Sequence, residues 1–140
     1  MQVWIRRLFL AAAALDFLAL IAFLVVYVTD RPTLVAWVTT SPAFAGQARH
    51  DGVDATVDYA TISISVVHLI VTALFLWLAW KIRRVRATVV LVITTAVDAF
   101  IITTPIGGLT QRVVMAAAIV VKVAALVLLW VSRPSDRSAR

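Results

Sequence analysis

Four stretches of this chain, each about twenty residues long, are continuously apolar except for one ionisable residue near the middle. They cover about residues 8–28, 60–80, 87–104 and 113–131, and their central ionisable residues are Asp16, His68, Asp98 and Lys122. About twenty apolar residues in helical conformation suffice to cross a hydrocarbon core. The apolar positions run without a break rather than alternating, which argues for helices and against the strands of a membrane barrel. Residues 1–140 therefore read as a single transmembrane domain. The expected architecture is an all-α integral membrane four-helix bundle, with one outer loop of about 30 residues between the first two spans.

Charge placement sets the expected orientation. Arg6, Arg7, Lys81, Arg83, Arg84, Arg86, Arg133, Arg137 and Arg140 flank one side, nine in all, against Arg31, Arg49 and Arg112 on the other. Short loops rich in Lys and Arg stay on the cytoplasmic side, so the chain reads N-in and C-in. Trp4, Trp77, Trp80 and Trp130 fall near the basic ends, where interfacial aromatic belts form, and Tyr27 and Tyr59 mark the other interface. The basic run around Lys81, Arg83, Arg84 and Arg86, together with Arg6 and Arg7, serves first as a topology anchor. It also suits anionic lipid headgroups. The net charge of +6 is thereby explained without nucleic acid. Arg6-Arg7 resembles the start of an export signal and Ala43-Phe44-Ala45 a cleavage site. However, the first apolar run is of spanning length, so it is expected to stay as the first span.

Composition narrows the chemistry. The chain is 63% hydrophobic, with a mean hydropathy of +1.01 and no cysteine. Thiolate metal sites, thiol redox chemistry and disulfides are excluded. No HExxH, Gly-x-Ser-x-Gly or Walker sequence is present, and the expectation is a non-enzyme.

The four central ionisable residues are the candidate site. Counting about 1.5 Å per residue from the nearest basic flank places Asp16 at ~14 Å, Lys122 at ~16 Å, Asp98 at ~18 Å and His68 at ~20 Å. All four then lie within about 5 Å of the middle of a ~30 Å core. Charge at that depth usually faces the bundle interior and finds a partner. Small residues flank Asp16 (Ala12, Ala19) and Lys122 (Ala118, Ala125), and small residues let helices approach closely. Thr61, Ser65, His68 and Thr72 make a polar stripe on the second span, and Thr94 and Thr95 precede Asp98 by one turn. Consecutive helices tend to pack together, which favours Asp98 with Lys122 and leaves Asp16 to His68. A faint echo between the Asp16 and Asp98 segments suggests a duplicated hairpin.

Within the outer segment 29–59, Asp30-Arg31-Pro32 and Ser41-Pro42 look like helix starts. Leu34, Val35, Trp37 and Val38 form an apolar patch expected at the membrane interface. Asp51, Asp54 and Asp58, at spacings of three and four, would share one helical face and could attract a cation, although they lack the glycine-punctuated spacing of a calcium loop. No resident metal is expected.

Three functions fit. The first is a non-catalytic accessory or anchor subunit of a complex in the bacterial inner (plasma) membrane, its polar cluster fixing helix packing. The second is a proton-coupled transporter of a small solute or cation, working as a homo-oligomer, with Asp16 and His68 as the titrating pair. The third is a haem b anchor using His68, which would need a second axial ligand from another chain. The expected partners are the lipid bilayer, further copies of the chain or other membrane subunits.

Overall fold

The computed structural model describes residues 2–81, 84–103 and 108–131. It is all helical. Four long helices, α1 (Gln2–Thr29), α4 (Val53–Trp80), α5 (Arg84–Ile102) and α6 (Gly108–Val131), are each long and apolar enough to cross a membrane. Two short ones, α2 (Arg31–Thr40) and α3 (Ala45–Asp51), lie between α1 and α4. The long helices extend past the apolar runs at several ends, where Trp4 and Arg6 on α1 and Asp54 and Asp58 on α4 continue the helix beyond the apolar stretch.

Each long helix buries a single stripe. On α6 it is Gln111, Met115, Ala118, Lys122, Ala125 and Leu129. On α5 it is Ala87, Leu91, Thr94 and Asp98. Spacings of three and four residues place these side chains on one helical face. The outward faces carry Phe17, Ile21, Val25, Ile62, Val66, Ile70, Val92 and Val120, all exposed. An apolar exterior around a partly polar interior is the arrangement lipid demands, since the outside faces hydrocarbon rather than water.

Around the bundle the order is α4, α1, α6, α5. α1 packs extensively on both α4 and α6, and α5 packs on α6. α4 and α5 follow one another in the chain but share no packed interface. Phe9 and Phe75 stack at 6.2 Å within a core that also holds Ala12, Ala13, Leu78, Leu91, Ala125 and Leu129. The start of α1 meets the end of α4, where the Arg6 guanidinium lies 4.6 Å from the Trp80 ring, so these two helices are antiparallel. Arg7 covers Trp4 on the same end. Arg6, Arg7, Lys81, Arg84 and Arg86 thus gather at one end of the bundle. Arg83, Arg133, Arg137, Arg140 and residues 104–107 lie outside the described residues.

The segment expected as a loop is mostly helix. Asp30 caps α2, its carboxylate accepting from the Thr33 backbone N–H and hydroxyl, with Pro32 in the first turn. Ser41 does not start a helix. It closes α2 through a backbone bond to Trp37, and α3 begins only after Phe44. Within the apolar patch of α2, Leu34 and Val38 are fully buried against Phe23 of α1 and Val57 and Ala60 of α4, while Val35 and Trp37 are half-buried.

The three carboxylates do not share a face. Gly52 takes φ +94° between α3 and α4 and breaks the helix between Asp51 and Asp54. Left-handed backbone of this kind favours glycine. Asp51 pairs with His50, while Asp54 and Asp58 turn to Arg31. Arg31 donates to both carboxylates and to the Tyr27 hydroxyl, which itself donates to Asp58. The hydrogen bond to Asp54, and after it the one to Tyr27, hold the Arg31 guanidinium above its ordinary range. The cation beside these carboxylates is therefore the protein's own guanidinium.

The tight stripe of α1 gives a stability test. Ala12 is fully buried, and Ala14 is exposed two residues on. We predict that Ala12→Leu costs about 1–3 kcal/mol by overpacking the core. Ala14→Leu should leave thermal unfolding in detergent nearly unchanged. Equal melting temperatures for the two variants would contradict the packing described.

Candidate functional site: two buried polar pairs

All four central ionisable residues face inward. Asp16, His68 and Asp98 are buried, and Lys122 is completely so. They fall in register with the buried stripes of their helices, so the same periodicity that packs the alanines also aims the charges inside.

They form two pairs, each across a helix interface. Lys122 Nζ on α6 donates to Asp98 Oδ2 on α5 at 2.5 Å. The same ammonium stands 5.1 Å from the Phe75 ring of α4. A cation over a ring face gains from the ring quadrupole, and more so once desolvated. Ala118 and Ala125, one turn either side of Lys122, are buried and take up little room, which lets the neighbouring helices close around the lysine.

The second pair joins α1 to α4. His68 Nδ1 lies 3.2 Å from Asp16 Oδ1, and the Thr72 hydroxyl donates to Asp16 Oδ2 at 2.9 Å. Both carboxylate oxygens are thus engaged. With Nδ1–H directed at a carboxylate, a neutral imidazole keeps its lone pair on Nε2.

The remaining residues of the polar stripes take other positions. Ser65 is half-buried and makes no hydrogen bond to either pair among the described residues. Thr61 and Thr94 are buried, but their hydroxyls turn back to the carbonyls of Val57 and Val90 in their own helices. Hydroxyls in helices often satisfy themselves this way.

Two spaces adjoin the pairs. One is a crevice of about 340 Å³ along the seam between α4 and α5. Val67, Val71, Ile93 and Val97 line it, and Asp16, His68 and Asp98 stand at its inner wall. The other is a chamber of about 170 Å³ beneath the turn between α2 and α3. Ile64, His68 and Ile101 border both. Gln111 borders the chamber, and its Oε1 and His68 Nε2 are both buried without a hydrogen-bond partner among the described residues. Gln111 was not singled out by the sequence pattern, because it precedes the last apolar run and reads as a loop residue. The available signal was its spacing: it stands four residues before Met115 and eleven before Lys122, on the same stripe.

Among the described residues no group of three or more His, Asp or Glu is placed to hold a metal ion. His50, the second histidine, is highly exposed on α3 and engaged with Asp51. Comparison with family models, with curated proteins and with solved structures finds no match to this chain.

Removing one partner of a buried ion pair strands the other charge, which typically costs about 3–5 kcal/mol. We predict a loss of that order for Lys122→Met, with most of it recovered in the Asp98→Asn/Lys122→Met double variant. Thermal unfolding in one detergent reads both, and additive losses would mean that the two residues are not paired. The stripe on α4 should divide in the same assay. Thr72→Val loses a hydrogen bond worth about 1 kcal/mol, whereas Ser65→Ala stays within about 0.5 kcal/mol. A larger loss at Ser65 would show that the wrong hydroxyl has been assigned to Asp16.

Proposed function

We propose that this chain is a non-catalytic accessory or anchor subunit of a membrane complex, with its polar pairs fixing which helices meet and in what register. The observation that carries this reading is the matching of all four central ionisable groups across helix interfaces, α5 with α6 and α1 with α4. Apolar packing discriminates poorly between helices in lipid, and a matched polar pair specifies partner and register together. Six helices joined by short connections leave no separate domain among the described residues for chemistry on a soluble substrate.

In the proposed orientation the basic end, with Arg6, Arg7, Lys81, Arg84 and Arg86, faces the cytoplasm. The α2–α3 cap then faces the outside of a bacterial inner membrane. The excess of Lys and Arg at that end supports it. The aromatic rings under Arg6 and Arg7 suit a headgroup layer.

Proton-coupled transport by a homo-oligomer is the second reading, favoured by the crevice that reaches Asp16 and His68 from the side of the bundle. Its own test is proton-driven flux in liposomes, which must vanish in Asp16→Asn. Haem ligation is weaker. His68 would be the sole imidazole offered from within the bundle, His50 lying exposed on α3, so a second axial ligand would have to come from another chain.

Native mass spectrometry from a mild detergent separates the first two readings. Stoichiometric companion chains are the expected result. A homo-oligomer without companions would overturn the accessory role and favour transport. Orientation has a separate test, helped by the absence of native cysteine. Thr39→Cys on α2 should react with an impermeant maleimide in intact cells, and Gln2→Cys should react only after permeabilisation. The reverse pattern would invert the topology.

A further inference from the structure

The chamber and the seam together describe an occupant. The chamber lies at the capped end of the bundle and is walled by the rings of Phe23, Trp37, Phe44 and Phe100. Its volume is about 170 Å³. An apolar cavity of about 150 Å³ takes up benzene, so the space matches one six-membered ring. Flat aromatic walls favour a flat guest, through offset and edge contacts at ring separations of about 4.5–7 Å.

The chamber is not purely apolar. His68 Nε2 and Gln111 Oε1 border it, on α4 and α6, and neither has a partner among the described residues. A buried polar atom left without a hydrogen bond is costly, so a guest able to bond it is favoured over a purely apolar one. The direction of those bonds follows from the neighbours. When the ring is neutral and donates Nδ1–H to the Asp16 carboxylate, 3.2 Å away, Nε2 keeps an acceptor lone pair. Gln111 Oε1 is likewise an acceptor. The guest must therefore supply donors, and hydroxyl groups on a ring do so.

The route in is apolar. The chamber shares Ile64, His68 and Ile101 with the crevice between α4 and α5. That crevice opens sideways, and Val67, Ile93 and Val97 are exposed along it. A guest that arrives through lipid and leaves an alkyl tail in the seam fits this path.

From these features we propose that the chamber binds the ring of a lipid-soluble hydroquinone, its hydroxyls donating to His68 Nε2 and Gln111 Oε1 and its tail lying in the α4–α5 seam. The site is a binding site, independent of whether the chain serves as a subunit or a transporter. The Asp16 contact fixes the tautomer of His68 and so makes Asp16 a positioning residue. Oxidation of the same head to a quinone replaces both donors with acceptors, so the site is selective for the reduced form.

The probe is decylhydroquinone, titrated into the full chain in nanodiscs, with empty nanodiscs subtracted for lipid partition. Saturable binding at one equivalent per chain is expected. Decylquinone, which keeps ring and tail but carries acceptors in place of both donors, should bind at least about tenfold more weakly, as for loss of a well-formed hydrogen bond. Gln111→Leu, which removes one acceptor without touching either polar pair, should weaken the hydroquinone about tenfold and should not weaken decylquinone. Ile101→Trp, which fills the junction between seam and chamber, should abolish binding. Far-ultraviolet circular dichroism and the melting temperature establish that each variant folds. The proposal is overturned if the hydroquinone shows no saturable binding to the folded wild-type chain. It is also overturned if the quinone binds as tightly, or if Gln111→Leu has no effect.

Discussion

A fully buried ammonium is the constraint around which this bundle is arranged. Lys122 has no route to water, and an unpaired charge in such a place would carry a desolvation penalty of several kcal/mol. The structure answers with Asp98 on one neighbour and the face of Phe75 on another. One side chain thereby fixes α5 against α6 and sets how α6 faces α4. The alanines beside it serve the same end, since a larger residue at 118 or 125 would hold the helices apart and lengthen both contacts.

Asp16 has a parallel role at the other interface. His68 and Thr72 bond its two oxygens from α4, one turn apart. The polar links therefore run α1 to α4 and α5 to α6, while α1 and α6 meet through alanine and aromatic packing. No polar link joins α4 to α5 among the described residues, and it is there that the bundle stays open. The unsealed seam and the placement of the charges are two views of one arrangement.

Much of this was legible in the sequence, and the reasons are specific. The four spans follow from continuous apolar runs, and the inward aim of Asp16, His68, Asp98 and Lys122 follows from the cost of charge in hydrocarbon. The two pairings followed from depth and chain order. Chain order then failed at α4 and α5, because adjacency in sequence carries no information about which of two neighbouring faces is filled. For the capping segment the sequence points to a loop with an interfacial apolar patch. Its apolar patch could equally cover lipid or protein, and periodicity alone does not say that Leu34 and Val38 pack on Phe23, Val57 and Ala60. Spacing alone groups Asp51 with Asp54 and Asp58, yet the glycine between them ends one helix and begins the next. Gln111 was missed because an uncharged amide near a helix start gives a weaker signal than an ion in mid-span.

The Asp98–Lys122 pair also bears on how the chain is made. A ribosome delivers Asp98 twenty-four residues ahead of Lys122. During that interval α5 holds a carboxylate whose cost at the bilayer centre, on an isolated helix, is about 2.5–3.5 kcal/mol. α5 is also the shortest of the four long helices, with 19 residues to offset that cost. The cost falls away once the lysine arrives, for the α5–α6 hairpin presents a matched pair to the lipid. Among the described helices, α6 thus supplies the partner that α5 lacks while it stands alone in the membrane.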